Sequence, residues 1–412
     1  MLAPPAVVAR LGAPVRQLCL LCTLVAFVLI VLLLEEESFG FSGDEPVAYH
    51  KYSALVWLIT RGSGIHSDDA RPMFRADAAT PIHLIFASKE CVQSLAPEYH
   101  CMVESMLRQF GYDGEASVDG GLRLKPAPGG PPLRSSSPPP SPRQLILWNF
   151  VPDDVTCEGS RSFPVGPFKN VTIKTLRIDI DGESPFGKWY HSGANGKDMW
   201  SVGGGVMWVL NDFARLYVLS VYGGMYLDMD FLVLDKKLMH VQNGVTISSS
   251  DPTGAHRLNN AVMRVPRNST FLQYAFEDWA THFHAFRASG FSWYGFSGPA
   301  LTTRTWVKYQ AAITARRNFP DDAFTLLNPN LTQPFQTSNG DCASLVDLVS
   351  KGKAVAIHLE NRITRPLRSR KFSELPPCIY NYLAGACPTT SRDWPPLAAA
   401  GPASVVPPHG HK

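Results

Sequence analysis

The chain has 412 residues, 45% hydrophobic and 18% charged, with a formal net charge of +3. This is the composition of a globular protein with a sizeable core, long enough for one large domain or two ordinary ones. So small a charge, with no long basic run, excludes nucleic acid as an expected partner.

The first element is Leu18–Leu34, an apolar run broken only by Thr23, at the short end of what spans a bilayer. Arg10 and Arg16 precede it, and Glu35, Glu36 and Glu37 follow. Positive flanks stay cytoplasmic, so residues 1–16 read as a cytoplasmic tail and 17–34 as a signal anchor, with the rest lumenal. A cleaved signal peptide is the competing reading. The run is longer than a usual h-region, however, and glutamates stand where small cleavage-site residues belong. Cys19 and Cys22, inside that run, read as bland or palmitoylated rather than metal-binding. Residues 35–78 carry no sustained period and read as a stem.

The globular part is expected over 79–390. Ile82–Phe86 is its first core strand, and Pro97–Phe110 a helix. Residues 120–143 form an insertion whose core, Lys125–Arg143, is too rich in Pro, Gly and Ser to pack, and disorder is expected there. Leu145–Phe150 and Val171–Ile178 resume strand patterns. Later come short strands at Val245–Ser249, Ala261–Val265 and Ala354–His358, with a helix around Phe271–Phe286. Strands alternating with helices predict an α/β domain with a largely parallel sheet, whose ligands bind at the carboxyl ends of its strands. Residues 391–412 read as a C-terminal tail. Cys91, Cys101, Cys157, Cys342, Cys378 and Cys387 suffice for three disulfides in an oxidising compartment. The spacing does not fix the pairing, although Cys378 and Cys387 are near enough in sequence to suggest a bridge. Asn170, Asn268 and Asn330 head N-x-S/T sequons, acceptors for glycosylation if lumenal.

The most informative stretch is Asn211–Leu234, NDFARLYVLSVYGGMYLDMDFLVL. Val206, Val209, Leu210, Phe213, Leu216 and Tyr217 recur at helical spacing, and Gly223-Gly224 stops the helix. Met225-Tyr226-Leu227 then reads as a buried strand that delivers Asp228 and Asp230 at its end. Unpaired carboxylates between apolar runs would cost several kcal/mol, on the order given by transfer data. They therefore face a cleft or hold a cation, and Asp-x-Asp suits a hard divalent cation through oxygen ligands. Such a cation would offset a nucleotide diphosphate and stabilise it as a leaving group. Asp212 and Arg215, three apart on the helix, are either an ordinary surface pair or part of the same site.

The whole string, D-x-x-R followed by Y-G-G-x-Y-x-D-x-D, resembles the sugar-binding region of glycosyltransferases with a DXD motif. Leu258-Asn259-Asn260-Ala261, Gly298-Pro299, Leu301-Thr302-Thr303-Arg304, Ala356-Ile357-His358, Asn361 and Cys387-Pro388-Thr389-Thr390 follow in order. Together they resemble the α-1,4-glycosyltransferase family, over roughly residues 80–390. The resemblance implies a GT-A fold of Rossmann-like type, a UDP-sugar donor, Mn²⁺, retention of anomeric configuration and a single-pass type II Golgi membrane protein. It implies that Asp228 and Asp230 hold metal and nucleotide, with Asp230 the more direct ligand and His358 completing the metal shell. Asp212, Arg215, Asn259 and Asn260 would meet the donor sugar. The family's Trp-Gly-His-Gln-Gly-Pro is here Tyr294-Gly295-Phe296-Ser297-Gly298-Pro299, and Glu360 stands where the family's His-Val-Trp-Asn has Trp. No residue announces itself as a nucleophile.

The expected activity is transfer of a hexose, galactose first and N-acetylglucosamine second, to a galactose-terminated glycolipid or glycan. Three rivals remain. A haloacid-dehalogenase-type phosphatase would want Thr or Val two residues after the second Asp, where Leu232 stands. The others are a DXD mannosyltransferase using GDP-mannose and a non-catalytic relic of the fold.

Overall fold

The computed structural model describes residues 81–93, 95–110, 145–152, 154–157, 161–165, 168–178, 185–191, 200, 207–247, 258–289, 297–316, 324–338, 340–392 and 394. All of these fall in the second of two compact units, Pro72–Lys412. The expected anchor, the stem and the Pro-rich insertion lie outside the described residues, as does nearly all of the C-terminal tail. Among the described residues no helix is long and apolar enough to cross a membrane.

In chain order the domain runs β1 (Ile82–Ala87), α1 (Pro97–Phe110), β2 (Leu145–Phe150), β3 (Arg161–Val165), β4 (Phe168–Leu176) and α2 (Pro185–His191). The central stretch supplies α3 (Met207–Tyr222), β5 (Gly224–Leu227) and β6 (Phe231–Val233), followed by β7 (Gly244–Ile247) and β8 (Leu258–Val265). Then come α4 (Thr270–Ser289), α5 (Gly298–Arg316), β9 (Thr325–Leu327), α6 (Pro334–Thr337) and α7 (Cys342–Ser350). The last elements are β10 (Ala356–His358), α8 (Glu360–Arg368) and α9 (Pro377–Ala386).

The main sheet has eight strands in the order β3-β4-β2-β1-β5-β8-β7-β9. β4, β2, β1 and β5 run parallel. β8 then pairs antiparallel with both β5 and β7, and β3 closes the other edge antiparallel to β4. The sheet is thus mixed: a parallel half carries an antiparallel extension that short apolar runs alone did not announce.

Helix α3 packs beside this parallel half, apolar on nearly all sides and buried from Val209 to Val221 except at Asn211. It ends where expected, at Gly223 (φ 65°) and Gly224 (φ 104°). A side chain on Gly224 would place its Cβ 2.5 Å from the Pro81 carbonyl oxygen, so the chain can turn into β5 only with glycine there. Buried His83 of β1 braces the same turn. Trp148 Nε1 donates to its Nδ1 (3.1 Å), so Nε2 carries the proton and donates to the Gly223 carbonyl (2.9 Å). Burial lowers the His83 pKa to about 4, which keeps that neutral tautomer in place.

β6 and β10 form a separate antiparallel ribbon between two apolar clusters. Strand alternation sends Phe231, Val233 and Ala356 to one cluster and Leu232 and Ile357 to the other. The first cluster fills the space under the main sheet with Ile82, Leu84, Val103, Leu147 and Leu227. The second gathers Met102 of α1 with Ile363, Leu367, Ile379 and Leu383 of the C-terminal helices.

Three disulfides pin these pieces: Cys91–Cys157, Cys101–Cys387 and Cys342–Cys378. The suggested Cys378–Cys387 bridge is therefore wrong. Those two cysteines bracket α9, and a helix of that length holds its ends about 13 Å apart, beyond disulfide reach. Of the sequons, Asn170 lies in β4, Asn268 is exposed in the turn after β8, and Asn330 lies in the helical turn Pro329–Leu331.

Candidate metal and nucleotide-sugar site

β5 ends by delivering Asp228, whose N–H donates to the Ala261 carbonyl of β8 (2.9 Å). Asp230 follows two residues on, and its carbonyl accepts from the Leu359 N–H (3.0 Å). The two acids thus sit in the turn between β5 and β6, tied to the sheet on one side and to the β10 end on the other. Their side chains remain partly open, at 29% for Asp228 and 23% for Asp230.

The β6–β10 register aligns His358 with Phe231, which carries the late histidine to the acids. Its ring stacks on that of Phe231 (centroids 4.5 Å apart, planes within 4°). His358 Nε2 lies 3.2 Å from Asp230 Oδ1. Asp230 Oδ1 is buried yet makes no hydrogen bond, so the two atoms face one another off the line that a hydrogen bond needs. One ligand atom each from Asp228, Asp230 and His358 fit within 4.8 Å of one another. Two carboxylates and an imidazole, with an unpaired buried oxygen among them, are a donor set that fits a divalent cation. Burial opposes charge on both His358 and Asp230, but each overrides that for the other. Asp230 raises the His358 pKa to about 9, and His358 lowers that of Asp230.

Behind the acids lies a polar layer that the sequence indicated only in part. Asp212 and Arg215 are both 5% exposed, so they are not an ordinary surface pair. Arg215 Nη2 reaches Asp212 Oδ1 (3.1 Å) and Asp228 Oδ1 (3.2 Å), and Nη1 donates to the Asn260 carbonyl (2.8 Å). Its guanidinium also lies 4.4 Å above the Tyr226 ring. Asp212 in turn accepts from Asn260 Nδ2 and from Ser297 Oγ, both at 2.8 Å. Burial raises the Asp212 pKa despite the Arg215 charge beside it. Asn259 turns back on its own strand, its Oδ1 accepting from the Ala261 N–H (2.8 Å). The fold therefore brings Asp212, Arg215, Asn260, Asp228, Asp230 and His358 into one contiguous set, with Asn259 at its edge.

Tyr226, Ser297 and Glu360 were not marked as site residues. Tyr226 donates from its hydroxyl to Asp228 Oδ1 (2.5 Å). Its signal was present, since residues two apart on a strand share a face. Ser297 occupies a position where the chain departs from the family string, and nothing in the sequence indicated that its hydroxyl would reach Asp212. Gly298 beside it (φ 57°) leaves no room for a side chain, as a Cβ would lie 2.9 Å from Asp212 Oδ2. Glu360 Oε1 lies 3.7 Å from His358 Nδ1. Phe296 is outside the described residues.

Residues 179–253 match the family described as "Glycosyltransferase sugar-binding region containing DXD motif". That window holds Asp212, Arg215, Asp228 and Asp230. The chain is 26% identical over 262 residues to the Lactosylceramide 4-alpha-galactosyltransferase of Mus musculus, covering 61% of this chain and 67% of that one. It is 29% identical over 178 residues to the protein of that name from Homo sapiens, covering 41% and 44%. Among solved structures, the PaToxG Glycosyltransferase aligns over 84% of this chain and 96% of its own at 11% identity and a TM-score of 0.34, a likeness too loose to argue from. On its DXD region and these relatives, the chain is a glycosyltransferase, and it is similar to α-1,4-galactosyltransferases.

Proposed function

We propose that this chain moves galactose from UDP-galactose, in α-1,4 linkage and with retention, onto a galactose-terminated glycolipid or glycan, with Mn²⁺ at Asp228, Asp230 and His358. The observation that carries the reading is that cluster, whose ligand atoms converge within 4.8 Å at the end of β5. The name of the relatives, lactosylceramide 4-alpha-galactosyltransferase, favours galactose as the donor sugar and lactosylceramide as the type of acceptor.

A divalent cation there supplies positive charge against the donor diphosphate, both in binding and as the phosphate departs. The protein's own part is to aim the acids. Arg215 and the Tyr226 hydroxyl hold Asp228 through the same oxygen, Oδ1, so the other carboxylate oxygen is left for a ligand. Before a cation binds, His358 favours the ionised form of Asp230. Asp212, fixed by Asn260 and Ser297, sets Arg215 in place. Asn260, with Asp212 and Arg215, also forms the wall nearest the donor sugar in this reading. A Golgi location with the N-terminal apolar run as type II anchor belongs to the same proposal. It is supported by that run, its flanking charges, and disulfides that suit an oxidising lumen.

The test is transfer by the full chain to a lactose-terminated acceptor. UDP-galactose, UDP-N-acetylglucosamine, UDP-glucose and GDP-mannose are offered in turn, with and without Mn²⁺. The expected result is Mn²⁺-dependent turnover of UDP-galactose. Preference for UDP-N-acetylglucosamine would move the sugar to the second choice and preference for GDP-mannose would replace the family reading of the donor. Silence with all four would refute the proposed function.

A further inference from the structure

His358 is held on every side but one. Its peptide N–H donates to the Thr332 carbonyl (2.9 Å) and its own carbonyl accepts from Gln336 Nε2 (2.7 Å). Phe231 fixes the plane of its ring, and Nε2 faces Asp230. The residue is only 6% exposed, and its second ring nitrogen, Nδ1, is buried without a hydrogen bond. Glu360, the first residue of α8, places Oε1 3.7 Å from that nitrogen. This is about 0.5 Å beyond a hydrogen bond and within reach of a small side-chain rotation.

A neutral imidazole has one lone pair and one N–H, and a metal takes the lone pair. If Nε2 is the ligand atom, Nδ1 carries the proton, and burial leaves that proton needing an acceptor within the protein. We propose that Glu360 is a positioning residue for the metal site, its carboxylate accepting the Nδ1–H of His358 so that the Nε2 lone pair is aimed at the cation between Asp228 and Asp230. A carboxylate in that role also makes the ring a better donor and adds negative charge near the cation. It gives a function to the residue that replaces the family's Trp in the string after the late strand. The inference rests on the metal reading made above.

The experiment measures Mn²⁺ binding to the full chain in the absence of donor and acceptor, by calorimetry and by the electron paramagnetic resonance signal of free Mn²⁺. Wild type is compared with Glu360→Gln, Glu360→Ala and Glu360→Gly. Glycine suits the φ of 52° at this position, so the last variant removes the carboxylate without straining the backbone if alanine folds poorly. The expected result is about 10- to 100-fold weaker Mn²⁺ binding in the alanine and glycine variants, with metal-free melting temperatures close to wild type. The glutamine variant, which keeps an acceptor oxygen, should lose less. Wild-type affinity in the alanine or glycine variant would overturn the inference, as would glutamine falling as far as alanine. Absence of Mn²⁺ binding by wild type would instead overturn the metal reading itself, and this inference with it.

Discussion

At the scale of single residues, the charge clusters around Asp228 and Asp278 serve different purposes. Around Asp228 the charges remain partly open and converge on a shared space. Around Asp278, in contrast, the carboxylate is fully buried and its oxygens are taken. Arg304 reaches Oδ1 through Nη2 (2.8 Å) and Nε (3.0 Å), and Lys308 reaches Oδ2 (2.8 Å). His282 lies 3.4 Å from Oδ2. This cluster ties α4 to α5 and has nothing left over for a ligand. Burial would raise the Asp278 pKa, but Arg304, His282 and Lys308 together hold it well below the usual 3.8. The sign follows directly: the unfolded chain takes up the proton first as pH falls. The stabilisation is therefore complete above about pH 5 and is lost progressively toward about pH 2. Asp278→Asn should cost about 3–5 kcal/mol near neutral pH, because it removes the buried carboxylate that pairs with Arg304 and Lys308. Urea unfolding at a series of pH values checks both points. The variant should show a smaller loss of stability between about pH 5 and pH 2 than wild type. Equal slopes would mean that Asp278 does not carry the acid sensitivity.

At the scale of elements, the decisive event is the reversal from α3 into β5. It returns the chain along the helix so that Asp228 emerges level with Arg215, and it works only because Gly223 and Gly224 adopt positive φ. Gly224→Ala must both enter a left-handed conformation and push its Cβ against the Pro81 carbonyl, 2.5 Å away. The expected cost is at least about 1–3 kcal/mol, measured by thermal or urea unfolding, with weakened turnover because β5 carries Asp228. A variant as stable as wild type would show that the turn has another low-energy form. Much of this element was legible in the sequence: the helical period through Tyr217, the glycine stop and the acids beyond it are all local signals. The β6–β10 ribbon was legible only as separate short apolar runs. Its pairing joins positions more than a hundred residues apart, and nothing local in Ala356-Ile357-His358 names Phe231 as its partner. His358 was therefore reachable by resemblance, whereas Tyr226 was reachable by strand periodicity and Ser297 by neither.

At the scale of the whole domain, the C-terminal string Cys387-Pro388-Thr389-Thr390 acts as a clasp. Cys387 is bridged to Cys101 of α1, and Glu104, one turn further along α1, is fully buried beneath the next residues. Its carboxylate accepts from the Thr389 N–H (3.1 Å), the Thr390 N–H (2.8 Å) and the Thr390 hydroxyl (2.6 Å). Burial works against the Glu104 charge, but these donors and Arg108 lower its pKa overall. The clasp closes a loop of 286 residues around nearly the whole domain. Replacing both cysteines by serine should cost about 2–4 kcal/mol and make the C-terminal segment an early site of protease cleavage. Unchanged stability and cleavage would assign the holding role to Glu104 and the apolar packing of α9 alone. The fold class was readable from the alternation of strands and helices. The antiparallel extension and the disulfide partners were not, since both depend on which distant elements meet.

In the proposed function, Asp228, Asp230 and His358 form a cation site that serves a nucleotide. The most direct measurement is calorimetric binding of UDP to the full chain with and without Mn²⁺, in wild type and in Asp230→Asn. The account predicts UDP binding that requires Mn²⁺ in wild type and is weakened by about 100-fold or more in the variant, as expected when a charged metal ligand is removed. UDP binding that is indifferent to Mn²⁺, or that survives intact in Asp230→Asn, would contradict it.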